Sequence, residues 1–367
     1  MAATGYCLAG HPAGHGPKTG LIQVLRVDLR RLRPPFSFLE PALPRSLQIA
    51  WAGFSRTVST DFSTGASVKS FLTILDLTAE EAMGLVRRAG EMKRKRERSD
   101  LLRGKMVALI FEKASTRTRV SFEVGIRHLG GDVIFLTPRD CQLGRSEPIR
   151  DTARVLARYV DGAVIRTFGQ TVVEEFDRFA GFPVINALTD EFHPCQVMSD
   201  MLTMYERTPD LASLKVAWIG DGNNMAHSWI NASTLFGFEL RLATPKGYEP
   251  DAGILARARQ SGAKVLLTDD PAEAVTGADY VNTDVWASMG QEEEQAEREA
   301  DFAPFQVNGA LMDKAGSGAK VLHCLPAHRG EEISEDVLEG SSSIVWDQAE
   351  NRLHMQKAIL EWAYTTI

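Results

Sequence analysis

The sequence predicts an α/β protein made of two doubly wound parallel-sheet domains linked by helices. Nine short apolar runs of strand length recur along the chain, and helix-length segments separate most of them. Nine strands over about 260 residues suit two open sheets joined by right-handed crossovers better than one sheet. No repeat at a fixed short period is visible, so a solenoid or propeller is not expected.

The elements follow in order. Residues 78 to 96 (TAEEAMGLVRRAGEMKRKR) open with Thr78 and, three places on, Glu81, a capping-box pattern before apolar residues at helical spacing. The first strand is MVALIF at 106 to 111, a run apolar enough to be covered on both faces. The other strand runs are DVIFL (132 to 136), GAVIRT (162 to 167), PVINAL (183 to 188), KVAWIG (215 to 220), ELRLAT (239 to 244), KVLLT (264 to 268), DYVNTD (279 to 284) and KVLHCL (320 to 325). The break between the sheets should fall near Thr208–Pro209. The acidic run QEEEQAERE at 291 to 299 reads as a solvated surface helix or loop. From about Gln348 to Tyr364, Leu353, Ile359, Leu360 and Ala363 again show helical spacing.

Composition narrows the function. The chain has 367 residues, 44% hydrophobic and 24% charged, which is ordinary for a globular protein of two domains. Four cysteines are too few for a disulfide-stapled secreted fold, and no uninterrupted apolar stretch has the roughly 18 residues of a membrane span. A reducing aqueous compartment is expected. A net charge of −7 argues against a nucleic-acid partner, while leaving room for a local basic pocket that takes one small anion. Residues 1 to 68 differ from the rest, with seven basic residues against three acidic and six of the sixteen prolines. They read as a poorly ordered extension. A start assigned too far upstream is the preferred explanation and implies a cytoplasmic protein. A transit peptide to a mitochondrial or plastid matrix is the alternative, although prolines 34, 35, 41 and 44 would break its amphipathic helix.

The first chemical motif follows the first strand. EKASTRTRVSFEVGIRHLG passes from a strand end through Ser115, Thr116, Arg117 and Thr118 into a helix. Such a corner offers free backbone N–H groups, the positive helix end, hydroxyl donors and a bidentate guanidinium to an anion. Arg117 and Arg119 lie roughly 200° apart around a helix, so only one faces the ligand, and Arg117 is assigned to it. The bland reading is a plain helix cap with surface arginines.

Other candidates sit at predicted strand ends, where open α/β sheets place ligands. His193 and Gln196 follow PVINAL and offer an imidazole and an amide to a polarised carbonyl, although a lone His beside a Cys is more often structural. Four zinc ligands might be imagined from His193, Cys195, His323 and Cys324, but their spacing lacks paired CxxC geometry, and no metal is expected. VAWIGDGNNMAHS carries Gly220 and Gly222 in GxG spacing, yet Met225 stands where a dinucleotide fingerprint has its third glycine, which disfavours a dehydrogenase. Asp284 ends DYVNTD, as a cap, an ion-pair partner or a ligand-binding carboxylate. Cys324, in KVLHCLP, is by itself most simply an inert buried thiol.

Five motifs occur in order: STRTR (115 to 119), FHPCQ (192 to 196), GDGNNMAHS (220 to 228), DVWASMG (284 to 290) and HCLPAHRGEE (323 to 332). Together they resemble the signature of the ornithine carbamoyltransferases. STRTR and HPxQ are shared with aspartate carbamoyltransferases, whereas SMG and HCLP narrow the match to the ornithine branch. The likeness covers about residues 69 to 367.

The resemblance implies a carbamoyl-phosphate domain at 69 to 207, completed by the C-terminal helix at 348 to 367, and an ornithine domain at 208 to 347. It implies transfer of the carbamoyl group of carbamoyl phosphate to the side-chain amine of L-ornithine, giving L-citrulline and phosphate, without a cofactor. Carbamoyl phosphate would be held by Ser115, Thr116, Arg117, Thr118, Gln142, Arg166, His193, Gln196, Leu325 and Arg352. Ornithine would meet Asn224, Asp284, Ser288 and Met289, with Gly290 letting that loop close. Cys324 would be the catalytic thiol that helps free the amine of its proton. An amine of pKa about 10.4 costs roughly 4.6 kcal/mol to present neutral at pH 7. Gln142 resembles the residue that such enzymes lend to a neighbouring subunit, which implies a homotrimer. Without the family it is a surface-loop amide. A putrescine carbamoyltransferase, sharing the phosphate corner, is the alternative.

Overall fold

The protein is described from a computed structural model covering residues 69–137, 147–287 and 295–365. All of these belong to a unit spanning Phe62–Ile367. The expectation for residues 1 to 68 lies outside the described residues.

In the first part, α1 (Ala79–Lys95) precedes β1 (Met106–Phe111), α2 (Thr116–His128), β2 (Asp132–Leu136), α3 (Ile149–Leu156), β3 (Gly162–Arg166), α4 (Gln170–Ala180), β4 (Val184–Leu188) and α5 (Pro194–Tyr205). In the second, β5 (Lys215–Ile219), α6 (Asn224–Phe236), β6 (Glu239–Ala243), α7 (Ala252–Gln260), β7 (Val265–Thr268), α8 (Pro271–Val275) and β8 (Tyr280–Thr283) alternate. They are followed by α9 (Gln295–Phe302), α10 (Gly309–Met312), β9 (Lys320–His323), α11 (Glu335–Leu338) and α12 (Val345–Tyr364). All nine apolar runs form strands, and every strand pair is parallel.

Local chemistry explains the boundaries. Thr78 and Glu81 form the expected capping box: the Thr78 hydroxyl accepts the Glu81 N–H at 3.2 Å, and the Glu81 carboxylate accepts the Thr78 N–H at 3.0 Å. β1, β3 and β8 are buried almost throughout because helices cover both faces, so they read as unbroken apolar runs. The edge strands β2 and β7 are partly exposed. The run KVLHCL stops as a strand at His323, two residues before the sequence suggests. Leu325 adopts φ of 60° and turns its N–H back onto His323 Nδ1 at 2.9 Å, leaving the ladder.

Topology then places the ligands. The first sheet has the order β2-β1-β3-β4, and the second β7-β6-β5-β8-β9. The order in which strands are added reverses between β1 and β3 in one sheet, and between β5 and β8 in the other. At such switch points the loops at the carboxyl ends of adjacent strands part in opposite directions and open a crevice. The motifs STRTR and GDGNN and the residues Arg166 and Asp284 all stand at these four strand ends. α12 packs against α1, α2 and α5, and α5 is buried from Pro194 to Met204. Among the described residues no helix is long and apolar enough to cross a membrane.

Candidate active site

A cleft of about 800 Å³ is lined by residues from both switch points. On the first side Ser115 caps α2, its hydroxyl accepting the Thr118 N–H at 3.3 Å and donating to Thr118 Oγ1 at 2.9 Å. Ser115, Thr116, Arg117 and Thr118 all face the cleft. Arg119 points elsewhere, stacked 3.7 Å over the Phe135 ring, as the angular spacing requires. Arg117 donates to the Leu325 carbonyl at 2.5 Å, so Leu325 reaches this side of the cleft from the end of β9.

Arg166 ends β3, and Arg352 reaches in from α12, donating to Thr118 Oγ1 at 2.7 Å. Both are buried, and the Nε of each has no hydrogen-bond partner. None of Arg117, Arg166 and Arg352 forms an ion pair with a carboxylate among the described residues. Burial, and then the neighbouring Arg352 and Arg117, pushes Arg166 down to about 10. Buried charges normally come paired, so the two buried guanidiniums and the half-buried Arg117, converging with no counter-ion among the described residues, describe a site for a multiply charged anion.

His193 stands between β4 and α5 on the cleft wall. Its backbone N–H donates to Ser228 Oγ at 2.8 Å, and its Nδ1 is buried without a partner. Burial holds its pKa well below the ordinary histidine value, and Arg352, Arg166 and Arg117 add to the effect. The ring is therefore neutral at pH 7, with one N–H that can donate a hydrogen bond and one nitrogen that can accept one.

Asp284, just past β8, and Cys324, just past β9, meet on the opposite side. The thiol donates to Asp284 Oδ1 at 2.9 Å, and the Val285 N–H reaches the same oxygen at 2.8 Å. Burial raises the pKa of Asp284. Burial, and then the Asp284 charge, raises that of Cys324 well above the usual thiol value, so Cys324 is a thiol at neutral pH. Asn224 opens α6 on the same wall and donates to the Thr189 carbonyl at 2.6 Å.

The comparisons with known proteins agree with this geometry. A family model described as the carbamoyl-P binding domain of aspartate/ornithine carbamoyltransferase matches residues 69–206, and one described as the Asp/Orn binding domain matches residues 212–363. The chain belongs to the aspartate/ornithine carbamoyltransferase family. This carbamoyltransferase is 65% identical over 294 residues to the ornithine carbamoyltransferase of Oleidesulfovibrio alaskensis, covering 80% of this chain and 98% of that relative. It is 63% identical over 297 residues to the one of Nitratidesulfovibrio vulgaris, covering 81% and 99%. The solved ornithine carbamoyltransferase of Pyrococcus furiosus matches with a TM-score of 0.77 at 46% identity, covering 81% of this chain and 97% of that one.

Some expectations for the carbamoyltransferase need adjustment. Gln196 is fully buried and is not on the cleft wall. Its Oε1 accepts from Arg352 Nη1 and its Nε2 donates to Asp200, so it stands behind the arginine. In the acidic run at 291 to 299, Arg298 is buried rather than solvated: it pairs with Asp221 of the GDGNN turn at 2.8 Å and donates to the Trp286 carbonyl at 2.8 Å. Gln142, Ser288 and Met289 lie outside the described residues. Lys113, paired with Asp190 and 4.4 Å over the Phe168 ring, also lines the cleft and was not anticipated.

Two rival chemistries can be tested in the carbamoyltransferase. A Cβ on Gly222 would lie 2.2 Å from Pro250 N and 2.4 Å from Glu249 C, so the second glycine of the GxG pair makes room for the segment at 248 to 250. A dinucleotide pyrophosphate would need that space. The four imagined zinc ligands do not assemble, since Cys195 Sγ donates to the Asn186 carbonyl in the core. Asp284, His323 and Cys324 do bring ligand atoms within 4.8 Å. However, His323 Nδ1 takes the Leu325 N–H, and Nε2 is bound to Glu332 at 2.9 Å, which leaves the ring no lone pair for an ion.

Proposed function

We propose that this enzyme transfers the carbamoyl group of carbamoyl phosphate to the side-chain amine of L-ornithine, giving L-citrulline and phosphate, with each substrate held by one side of the cleft. The observation that carries the reading is the meeting of three guanidiniums, none ion-paired among the described residues, and a helix N-terminus with the Asp284–Cys324 pair across one space. Residues 69–207, completed by 348–367, form the carbamoyl-phosphate domain, and 208–347 form the ornithine domain.

Ser115, Thr116, Arg117, Thr118 and Arg166 hold the phosphate, with Gln142 contributed from a neighbouring subunit of a homotrimer. Arg352, braced by Gln196, polarises the carbonyl together with the neutral His193, and Leu325 borders the carbamoyl group. Asn224, Ser288 and Met289 hold the amino-acid end of ornithine, while Asp284 and Cys324 receive its side-chain amine. The neutral nitrogen attacks the carbonyl carbon, the bond to the bridging phosphate oxygen breaks, and phosphate takes the proton that the nitrogen sheds. Catalysis rests on positioning and on stabilising the carbonyl oxygen as charge develops there. The high identity to the Oleidesulfovibrio and Nitratidesulfovibrio enzymes supports a cytoplasmic location.

A colorimetric citrulline assay tests the reading. Ornithine with carbamoyl phosphate yields citrulline, and putrescine, which lacks the α-carboxylate, reacts with a kcat/KM at least about 100-fold lower because the groups facing that carboxylate stay unpaired. Equal use of putrescine, or no citrulline, contradicts it.

A further inference from the structure

Behind the cleft, the two substrate sides share one buried carboxylate. Asp200, on α5, lies one helical turn after Gln196 on the same face. Its Oδ1 accepts the Gln196 amide at 2.8 Å and the Gln348 amide, from α12, at 2.7 Å. Each amide has only one chemically allowed orientation. Gln196 Oε1 faces the Arg352 guanidinium, which only donates, and Gln348 Oε1 accepts the backbone N–H of His323 at 2.8 Å. Both NH2 groups must therefore point inward, and Asp200 Oδ1 is the acceptor that takes them.

We propose that Asp200 is a positioning residue for carbamoyl transfer, aligning Arg352 through Gln196 on the donor side and the β9 end that carries Cys324 through Gln348 on the acceptor side. The proposal rests on the functional reading above. Without that oxygen, two buried amides lose their acceptor, and a flipped Gln196 sets its NH2 against a guanidinium, donor to donor. The arrangement is costly to keep. Asp200 is fully buried, its Oδ2 has no hydrogen-bond partner, and burial pushes its carboxyl up to about 7 despite the two amides and nearby Arg352. An apolar side chain of similar size would fill the space at less expense, so filling space does not account for the carboxylate.

The test compares Asp200→Leu with Asp200→Asn in the citrulline assay, with thermal melting as the check on folding. Leucine removes the acceptor and keeps the volume. It lowers kcat about 100-fold, with the KM for carbamoyl phosphate within about threefold of wild type, and the protein still melts cooperatively, at a temperature lowered by the two unsatisfied amides. Asparagine retains an acceptor oxygen and recovers kcat to within about tenfold of wild type. Should the leucine variant fail to fold, Gln348→Met, which breaks only the acceptor-side link, lowers kcat about tenfold at unchanged KM for carbamoyl phosphate. A folded leucine or methionine variant with kcat within about twofold of wild type, or an asparagine variant no better than leucine, overturns the proposal. Failure of the underlying reading shows separately, as wild-type protein that makes no citrulline.

Discussion

Arg117→Ala lowers kcat by about 100- to 1000-fold or more and raises the KM for carbamoyl phosphate, while the protein melts no earlier than wild type. The loss of rate follows from removing a charge-assisted donor at the helix N-terminus where the leaving phosphate sits. The unchanged stability follows from charge. Arg117 is a like charge beside Arg166, Arg352 and His193 and acts against the protonated form of each, so its removal relieves repulsion in the empty cleft. Steady-state kinetics with a melting curve checks both parts. Wild-type turnover in the variant would remove the anion site from its assigned corner, and a large fall in melting temperature would make Arg117 a structural residue.

Asp284→Asn acts on the other substrate. It lowers kcat/KM for ornithine by about 100- to 1000-fold and leaves the KM for carbamoyl phosphate within about twofold, because the carboxylate receives the side-chain amine and does not touch the donor. It also changes the pH profile. Burial raises the pKa of Asp284, so the wild-type carboxylate is lost as pH falls through a value above the ordinary carboxylate range of about 3.9. Wild-type kcat/KM for ornithine therefore has an acidic limb above that range, and the asparagine variant lacks it. A profile of the same shape in both proteins would assign the limb to another group.

What could be read from the sequence was local or periodic. The capping box at Thr78 and Glu81 involves neighbours three residues apart, and strands covered on both faces announce themselves as apolar runs. The separation of Arg117 from Arg119 followed from helix geometry alone. The position of Gln196 just after a strand suggests the cleft, but as the third residue of α5 it turns inward to Asp200. Long-range partners leave no local trace. Gln348 meets Asp200 across 148 residues, and Arg352 meets Gln196 across 156. Arg298 is hidden by its own surroundings, since five glutamates in nine residues suggest solvent, whereas the packed rings of Tyr248 and Phe302 and the Asp221 carboxylate draw it inside.

A crystal structure of the protein with carbamoyl phosphate bound examines the reading at its root. The phosphate should lie against the backbone N–H groups of Thr116 to Thr118 with the Arg117 guanidinium beside it, and the carbonyl oxygen about 3 Å from Arg352 and His193. Density for the donor anywhere else, with Ser115 to Thr118 facing water, would contradict it.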